Sequence, residues 1–217
     1  MELAPYIAAF DLDKTILSVN SSKLVVQMSR RMGFMTMRDF RQAIYYAVLY
    51  KFDLKDANKI VLSMMQWLKG LKEEEVHALA NTHVIPFLLK LIRPEVKREI
   101  EIHQKNNARL LLLSSALPYL CDPIAEYLQL DDVVCSSLEV TDGRFTGRSV
   151  GKLVFGEEKA VRMIDYCKTN NFPLDTAWYY GDAYTDRFVM QCVGNPVAVK
   201  PEIKLRWLAR KKRWRKL

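Results

Sequence analysis

Three unbroken apolar runs stand out along this chain: Tyr6-Ile7-Ala8-Ala9-Phe10, Leu110-Leu111-Leu112-Leu113 and Ala177-Trp178-Tyr179-Tyr180-Gly181. Short runs without alternation predict strands buried on both faces, as in a parallel sheet. Residues 21 to about 94 contain no such run. Their apolar spacing predicts helices from Ser22 to Arg31, Arg38 to Lys51, Leu54 to Lys69 and Lys72 to Leu91, punctuated by Gly33, Gly70 and Pro94. Asp53 and Asp56 suit the start of the third, as a cap or toward its dipole. A further helix is expected from Pro94 to Asn106. A β-hairpin is expected from Leu138 to Val150, with Asp142-Gly143 at its turn. Strands alternating with helices place the chain in the α/β class, with a doubly wound parallel sheet.

Polar chemistry gathers where the apolar runs stop. Asp11 ends the first run and opens Asp11-Leu12-Asp13-Lys14-Thr15; Ser114 ends the second; Asp182 ends the third, with Asp186 four residues on. Lys159 falls in Gly156-Glu157-Glu158-Lys159, on the expected first turn of a helix. Taken singly, each has a plain structural reading: an aspartate after a strand commonly makes a turn, a serine caps a helix, a lysine is solvated. Together, acidic and hydroxyl groups at the carboxyl ends of several buried strands point to one crevice above the sheet.

These four clusters, in this order, resemble the motifs of the haloacid-dehalogenase superfamily phosphatases, in the subfamily that contains phosphoserine phosphatase. The likeness extends through Asp142-Gly143-Arg144-Phe145-Thr146-Gly147 and Val193-Gly194-Asn195-Pro196-Val197-Ala198-Val199, and so covers nearly the whole chain. The resemblance implies a Rossmann-like catalytic core formed by residues 1–20 and 94–217, and a helical cap inserted over residues 21–93. It implies hydrolysis of a phosphomonoester on a small phosphorylated substrate through a phospho-aspartate. Asp11 would be the nucleophile and Asp13 the general acid and base. Mg²⁺ would be held by the side chains of Asp11 and Asp182 and the backbone carbonyl of Asp13, with Asp186 supporting them. Ser114, with backbone N–H groups near Ser115, would bind the phosphoryl oxygens. Lys159 would offset transition-state charge, and Thr15 would steady the first loop. Phosphoserine phosphatases of this family typically carry an acid nine positions after the nucleophile; Asn20 stands there instead, and an amide holds an ammonium group less well. Phosphoserine itself, a phospholipid precursor and phosphotransfer to another alcohol remain as alternatives, as does a non-enzymatic surface-binding module.

Charge changes this picture at one end only. The chain has 217 residues, 33 Lys and Arg against 25 Asp and Glu, and a net charge of +8. Residues 200–217 hold nine of the basic residues and one acid, leaving 24 of each sign elsewhere, so a general nucleic-acid surface is not implied. Ile203, Trp207 and Trp214 follow a rough helical stripe among these cations. Such a tail suits a helix packed on the core with a solvated basic end, or peripheral contact with an anionic membrane. No apolar stretch is long enough to span a bilayer. A cleaved leader would take the Asp11 strand with it, so none is expected. Four scattered cysteines, Cys121, Cys135, Cys167 and Cys192, suggest free thiols and a cytoplasmic setting. His77, His83 and His103 lack ligand spacing and are expected exposed or packed. Oligomeric state is not readable.

Overall fold

The computed structural model of the protein describes residues 6–51 and 57–217. Strand β1 (Ile7–Phe10) leads through a wide turn into helices α1 (Ser21–Arg31), α2 (Met37–Lys51), α3 (Ala57–Met64), α4 (Glu73–Leu79) and α5 (Ile85–Leu88). Then come α6 (Pro94–Lys105), β2 (Arg109–Ser114), α7 (Pro118–Tyr127), β3 (Asp132–Cys135) and the hairpin β4 (Leu138–Thr141) with β5 (Arg144–Ser149). The chain closes with α8 (Glu157–Thr169), β6 (Trp178–Gly181), α9 (Arg187–Met190), β7 (Asn195–Ala198), α10 (Ile203–Lys212) and β8 (Arg215–Lys216).

Six strands form one parallel sheet in the order β3-β2-β1-β6-β7-β8. All four residues of β1 are buried. Ala8 and Phe10 face one apolar layer with Leu110, Leu112 and Tyr180; Ile7 and Ala9 face the other with Leu111, Leu113 and Tyr179. Both faces are covered, by α6 and α7 on one side and α8, α9 and α10 on the other. This is why the strands read as unbroken apolar runs. Each large side chain so buried contributes about 1.5–3 kcal/mol. The three expected strands are present. Strands β3, β7 and β8 carry no such run: the first opens on Asp132 and is half-buried throughout, the second contains Pro196 and the last has two residues.

The helical segment differs from expectation in detail. The helix expected from Leu54 to Lys69 ends at Met64 and gives way to a single 3₁₀ turn, Gln66–Leu68; Asp53 and Asp56 lie outside the described residues. The helix expected from Lys72 to Leu91 runs on, but with a π-helical turn at Ala80–Val84 and a 3₁₀ turn at Leu89–Leu91. Pro86 accounts for the disruption: it has no N–H to give, and its ring displaces the carbonyl four residues back. The chain leaves and re-enters the sheet side by side. Leu17 pairs with Ile92 in an isolated antiparallel bridge, and the Arg93 N–H donates to the Ile16 carbonyl at 2.8 Å.

The hairpin is as expected, and its turn explains the Asp-Gly pair. Asp142 and Gly143 have φ of 49° and 71°, the two left-handed positions of a tight hairpin turn. The tail departs from the expected stripe. Leu205 and Ala209 bury α10 against the sheet, Arg213 turns at φ 57°, and Trp214 packs on the core rather than joining Ile203 and Trp207 at the surface. The chain then runs into β8, beside β7, where Arg215 makes a two-pronged ion pair with Glu99. The four cysteines are free.

Candidate active site

Asp11 lies at the carboxyl end of β1 in extended conformation, its N–H donating to the Tyr180 carbonyl at 2.9 Å. The chain then turns sharply. Lys14 adopts φ 58°, and the N–H groups of Ile16 and Leu17 reach back five residues, to Asp11 at 3.2 Å and Leu12 at 2.9 Å. Alternation along a strand would put positions 11 and 13 on one face. The turn separates them instead. The Asp11 carboxylate points into a buried charge cluster, while Asp13 accepts the Ser21 N–H at 2.7 Å and lines a cavity.

The cluster centres on Lys159, 5% exposed on the first turn of α8. Its Nζ donates to Asp11 Oδ1 at 2.6 Å and to Asp186 Oδ1 at 2.8 Å, and lies 5.6 Å from the centre of the Tyr179 ring. Asp186 also accepts the Tyr179 hydroxyl at 2.8 Å and the Ala183 N–H at 3.1 Å, so both of its oxygens are engaged. Asp182 is buried at the end of β6. Burial, followed by the charges of Asp11 and Asp186, pushes its carboxyl up to about 8. Burial likewise raises Asp11 to about 7, against the pull of Lys159. Burial also raises Asp13, though the Ser21 hydrogen bond opposes it. Burial works against the charged form of Lys159, but Asp11 and Asp186 outweigh it and hold the ammonium.

Oxygens of Asp11, Asp182 and Asp186 all lie within 4.8 Å of one another. An all-carboxylate donor set with one lysine to balance it is short of positive charge. Those residues suit a hard divalent cation such as Mg²⁺.

Beside this cluster lies a cavity of about 760 Å³, within the range of small-molecule sites. Asp13, Ser115 and Asn20 line it, together with Lys14 and Lys23. Asn20 also caps α1, its Oδ1 accepting the Lys23 N–H at 2.9 Å. Ser114 is buried at the end of β2, and its Oγ accepts the Ala116 N–H at 3.1 Å. Thr15 stands apart: it is fully buried, does not line the cavity, and its Oγ1 has no hydrogen-bond partner among the described residues. The first loop is held by its backbone bonds, by the Asp13 carboxylate on the Ser21 N–H and by Arg93 Nε on the Lys14 carbonyl, not by that hydroxyl.

The haloacid dehalogenase-like hydrolase family matches residues 8–191, most of the chain. The chain belongs to that family. This hydrolase is 22% identical to a histidinol-phosphatase of Neisseria meningitidis over 96% of each chain. It is 26% identical to a phosphoserine phosphatase of Mycobacterium tuberculosis, over 95% of its own length and 68% of the relative's. Among solved structures, a protein of unknown function from Bordetella pertussis superposes with a TM-score of 0.87 at 21% identity, over 99% of each chain. A phospho-aspartyl intermediate analogue of phosphoserine phosphatase superposes with a TM-score of 0.72 at 17% identity, over 99% of this chain and 93% of that one. At such identities the structures speak to the shared fold.

Several residues of the hydrolase's site escaped the sequence reading. Tyr179 reads as core in an apolar run, yet its hydroxyl orients Asp186. Gly181 leaves room for the same carboxylate: a Cβ there would meet Asp186 Oδ2 at 2.7 Å. Glu202 braces the Asp182 loop from the next connection. Its N–H donates to the Asp182 carbonyl at 3.0 Å, and its Oε1 accepts the Tyr184 N–H at 2.6 Å. Alternation along β6 could have flagged Tyr179 once the side taken by α8 was known. Nothing local marks Glu202. Of the histidines, His103 is buried between the hydroxyls of Tyr6 and Tyr180, at 2.8 and 2.9 Å.

Proposed function

We propose that this hydrolase cleaves phosphomonoesters with the help of Mg²⁺, passing the phosphoryl group through Asp11. The observation that carries the reading is the division of labour between two acids on one turn. Asp11 is held against Lys159 among buried carboxylates, and Asp13 faces the cavity. A nucleophile needs a fixed direction of attack, and a proton shuttle needs contact with the leaving group. In this mechanism an oxygen of Asp11 attacks phosphorus while the alcohol leaves into the cavity, taking a proton from Asp13. Asp13 then removes a proton from the water that hydrolyses the aspartyl-phosphate. Ser114 uses its Oγ lone pair for Ala116, which leaves its proton to donate to a phosphoryl oxygen. Lys159 balances negative charge as it builds on the phosphoryl group, and Asp186 and Tyr179 fix its position. Asp11, Asp182 and the Asp13 carbonyl, with Asp186 in support, would hold Mg²⁺, which would supply the positive charge that lets a phosphate dianion approach a carboxylate.

In the same reading, residues 21–93 act as a cap over a core of residues 1–20 and 94–217, and the adjoining segments bridged at Leu17 and Ile92 are its hinge. The relatives named phosphatases and the buried acidic cluster support this assignment. Phosphate release from phenyl phosphate, measured with Mg²⁺ and with chelator, tests it. Turnover that needs the metal and vanishes in Asp11→Asn is expected; metal-independent turnover, or an active Asp11→Asn variant, overturns it. Added alcohol that captured the phosphoryl group would shift the reading to a phosphotransferase.

We also propose that α10 touches anionic membrane surfaces. Ile203 and Trp207 are 70% and 71% exposed, one turn apart, among Lys204, Arg206, Arg210 and Lys211. An exposed aliphatic side chain and an indole ring flanked by cations suit a negatively charged lipid interface. Sedimentation with phosphatidylglycerol vesicles that is lost in an Ile203→Ser/Trp207→Ser variant is expected; equal sedimentation of both proteins contradicts it.

A further inference from the structure

The cavity beside Asp13 differs in character from the polar cluster behind it. Its walls are Phe40, Ile44, Val61, Met64 and Trp67 from the helical segment, with Leu117, Tyr119 and Phe155 from the sheet side. Among the described residues that line it, the charged side chains are Asp13, Lys14 and Lys23. We infer that the alcohol released by this hydrolase has a large apolar body and carries no ammonium group. The inference rests on the proposed mechanism, because the group beside the proton donor is the leaving alcohol. Whatever fills the 760 Å³ beyond Asp13 is therefore that alcohol's carbon skeleton.

Chemistry decides what can fill it. An amino alcohol would bring a cation to a space that already holds two lysines. Among the described lining residues the one carboxylate is Asp13, which the proposed mechanism commits to the leaving oxygen. Burying an ammonium without a partner costs more than the contact returns. An aliphatic or aromatic chain meets no such penalty and gains from contact with the ring and thioether walls. The cavity also opens to solvent at Ile44, 47% exposed, so a chain longer than the cavity has an exit.

The test is a homologous series of n-alkyl monophosphates from ethyl to octyl, assayed with the full chain and Mg²⁺ beside phosphoserine and phenyl phosphate. kcat/KM is expected to rise about two- to fourfold per added methylene until the cavity is full, with phosphoserine below butyl phosphate. A flat series, or phosphoserine as the best ester, overturns the inference; turnover of phenyl phosphate in that case leaves the hydrolase reading standing. Calorimetry with non-hydrolysable alkyl phosphonates reads the cavity apart from the chemistry. Octylphosphonate binding no tighter than ethylphosphonate overturns the inference whatever the turnover. Ile44→Glu, which sets a carboxylate at the exposed mouth, is expected to lower the octyl-to-ethyl ratio of kcat/KM about tenfold. An unchanged ratio in that variant removes the cavity as the binding site.

Discussion

Lys159 is the residue on which the buried cluster balances. It pairs with Asp11 and Asp186 at once, and neither acid has another described cation within ion-pair distance. Lys159→Met keeps the stem and removes the charge, leaving two buried carboxylates to repel. The expected cost is about 3–5 kcal/mol in chemical denaturation, with Mg²⁺ restoring part of it; a loss under 1 kcal/mol would contradict the balance described. On the proposed reading, the same carboxylates make Mg²⁺ binding depend on pH. Asp11 and Asp182 are raised from 3.8 to about 7 and about 8 in the folded chain. Their contribution to the metal-free fold is therefore whole below pH 3.8 and is lost as pH rises through about 7 to 8. A divalent cation offsets that loss. The Mg²⁺-induced rise in Tm should be small at pH 5 and largest above pH 8, and a rise independent of pH would count against these ligands. At this scale the placing of Asp11, Ser114 and Asp182 at strand ends was legible because each follows an apolar run, whereas Lys159 stood out only through the order of the four clusters. Tyr179 and Glu202 were not, since their roles exist only once distant segments meet.

Elements set the positions that residues then use. The hairpin β4–β5 braces the helical segment through hydrogen bonds to its own carbonyls that no side-chain pattern announces. The Gly70 N–H donates to the Phe145 carbonyl at 2.8 Å, the Glu73 N–H to Gly143 at 2.9 Å, and Gln66 Nε2 to Gly147 at 2.6 Å. At the other edge, β8 is tied to α6 through Arg215 and Glu99, and Glu99 accepts the Tyr180 hydroxyl at 2.8 Å. Tyr180 lies two residues before Asp182, so this edge supports the strand that carries a candidate metal ligand. Arg215→Ala should lower the unfolding free energy by about 1–2 kcal/mol, seen as a lower denaturant midpoint at an unchanged slope. A wild-type midpoint would mean that β8 merely rests on the sheet. Helix existence was legible from apolar spacing; the π-helical turn before Pro86 was not, because spacing does not report which carbonyl a displaced N–H will find.

At the scale of the whole molecule, function follows from topology. The chain builds β1, β2 and β3 outward on one side, then returns to place β6 on the other side of β1. Asp11 and Asp182 therefore end neighbouring strands at the point where the winding reverses, the position at which such sheets form a crevice. The sequence implied this arrangement through three apolar runs that each stop at a polar residue. It did not disclose the apolar cavity, whose walls come from α2, α3, the 3₁₀ turn and α7, brought together only by folding. The central claim is that Asp11 carries the phosphoryl group. Acid quench during turnover with Mg²⁺, followed by peptide mass mapping, tests it directly. A phosphoryl group on Asp11, absent from Asp11→Asn, is the expected result. Turnover with no covalent phosphate, or with the phosphate on another residue, would contradict the account.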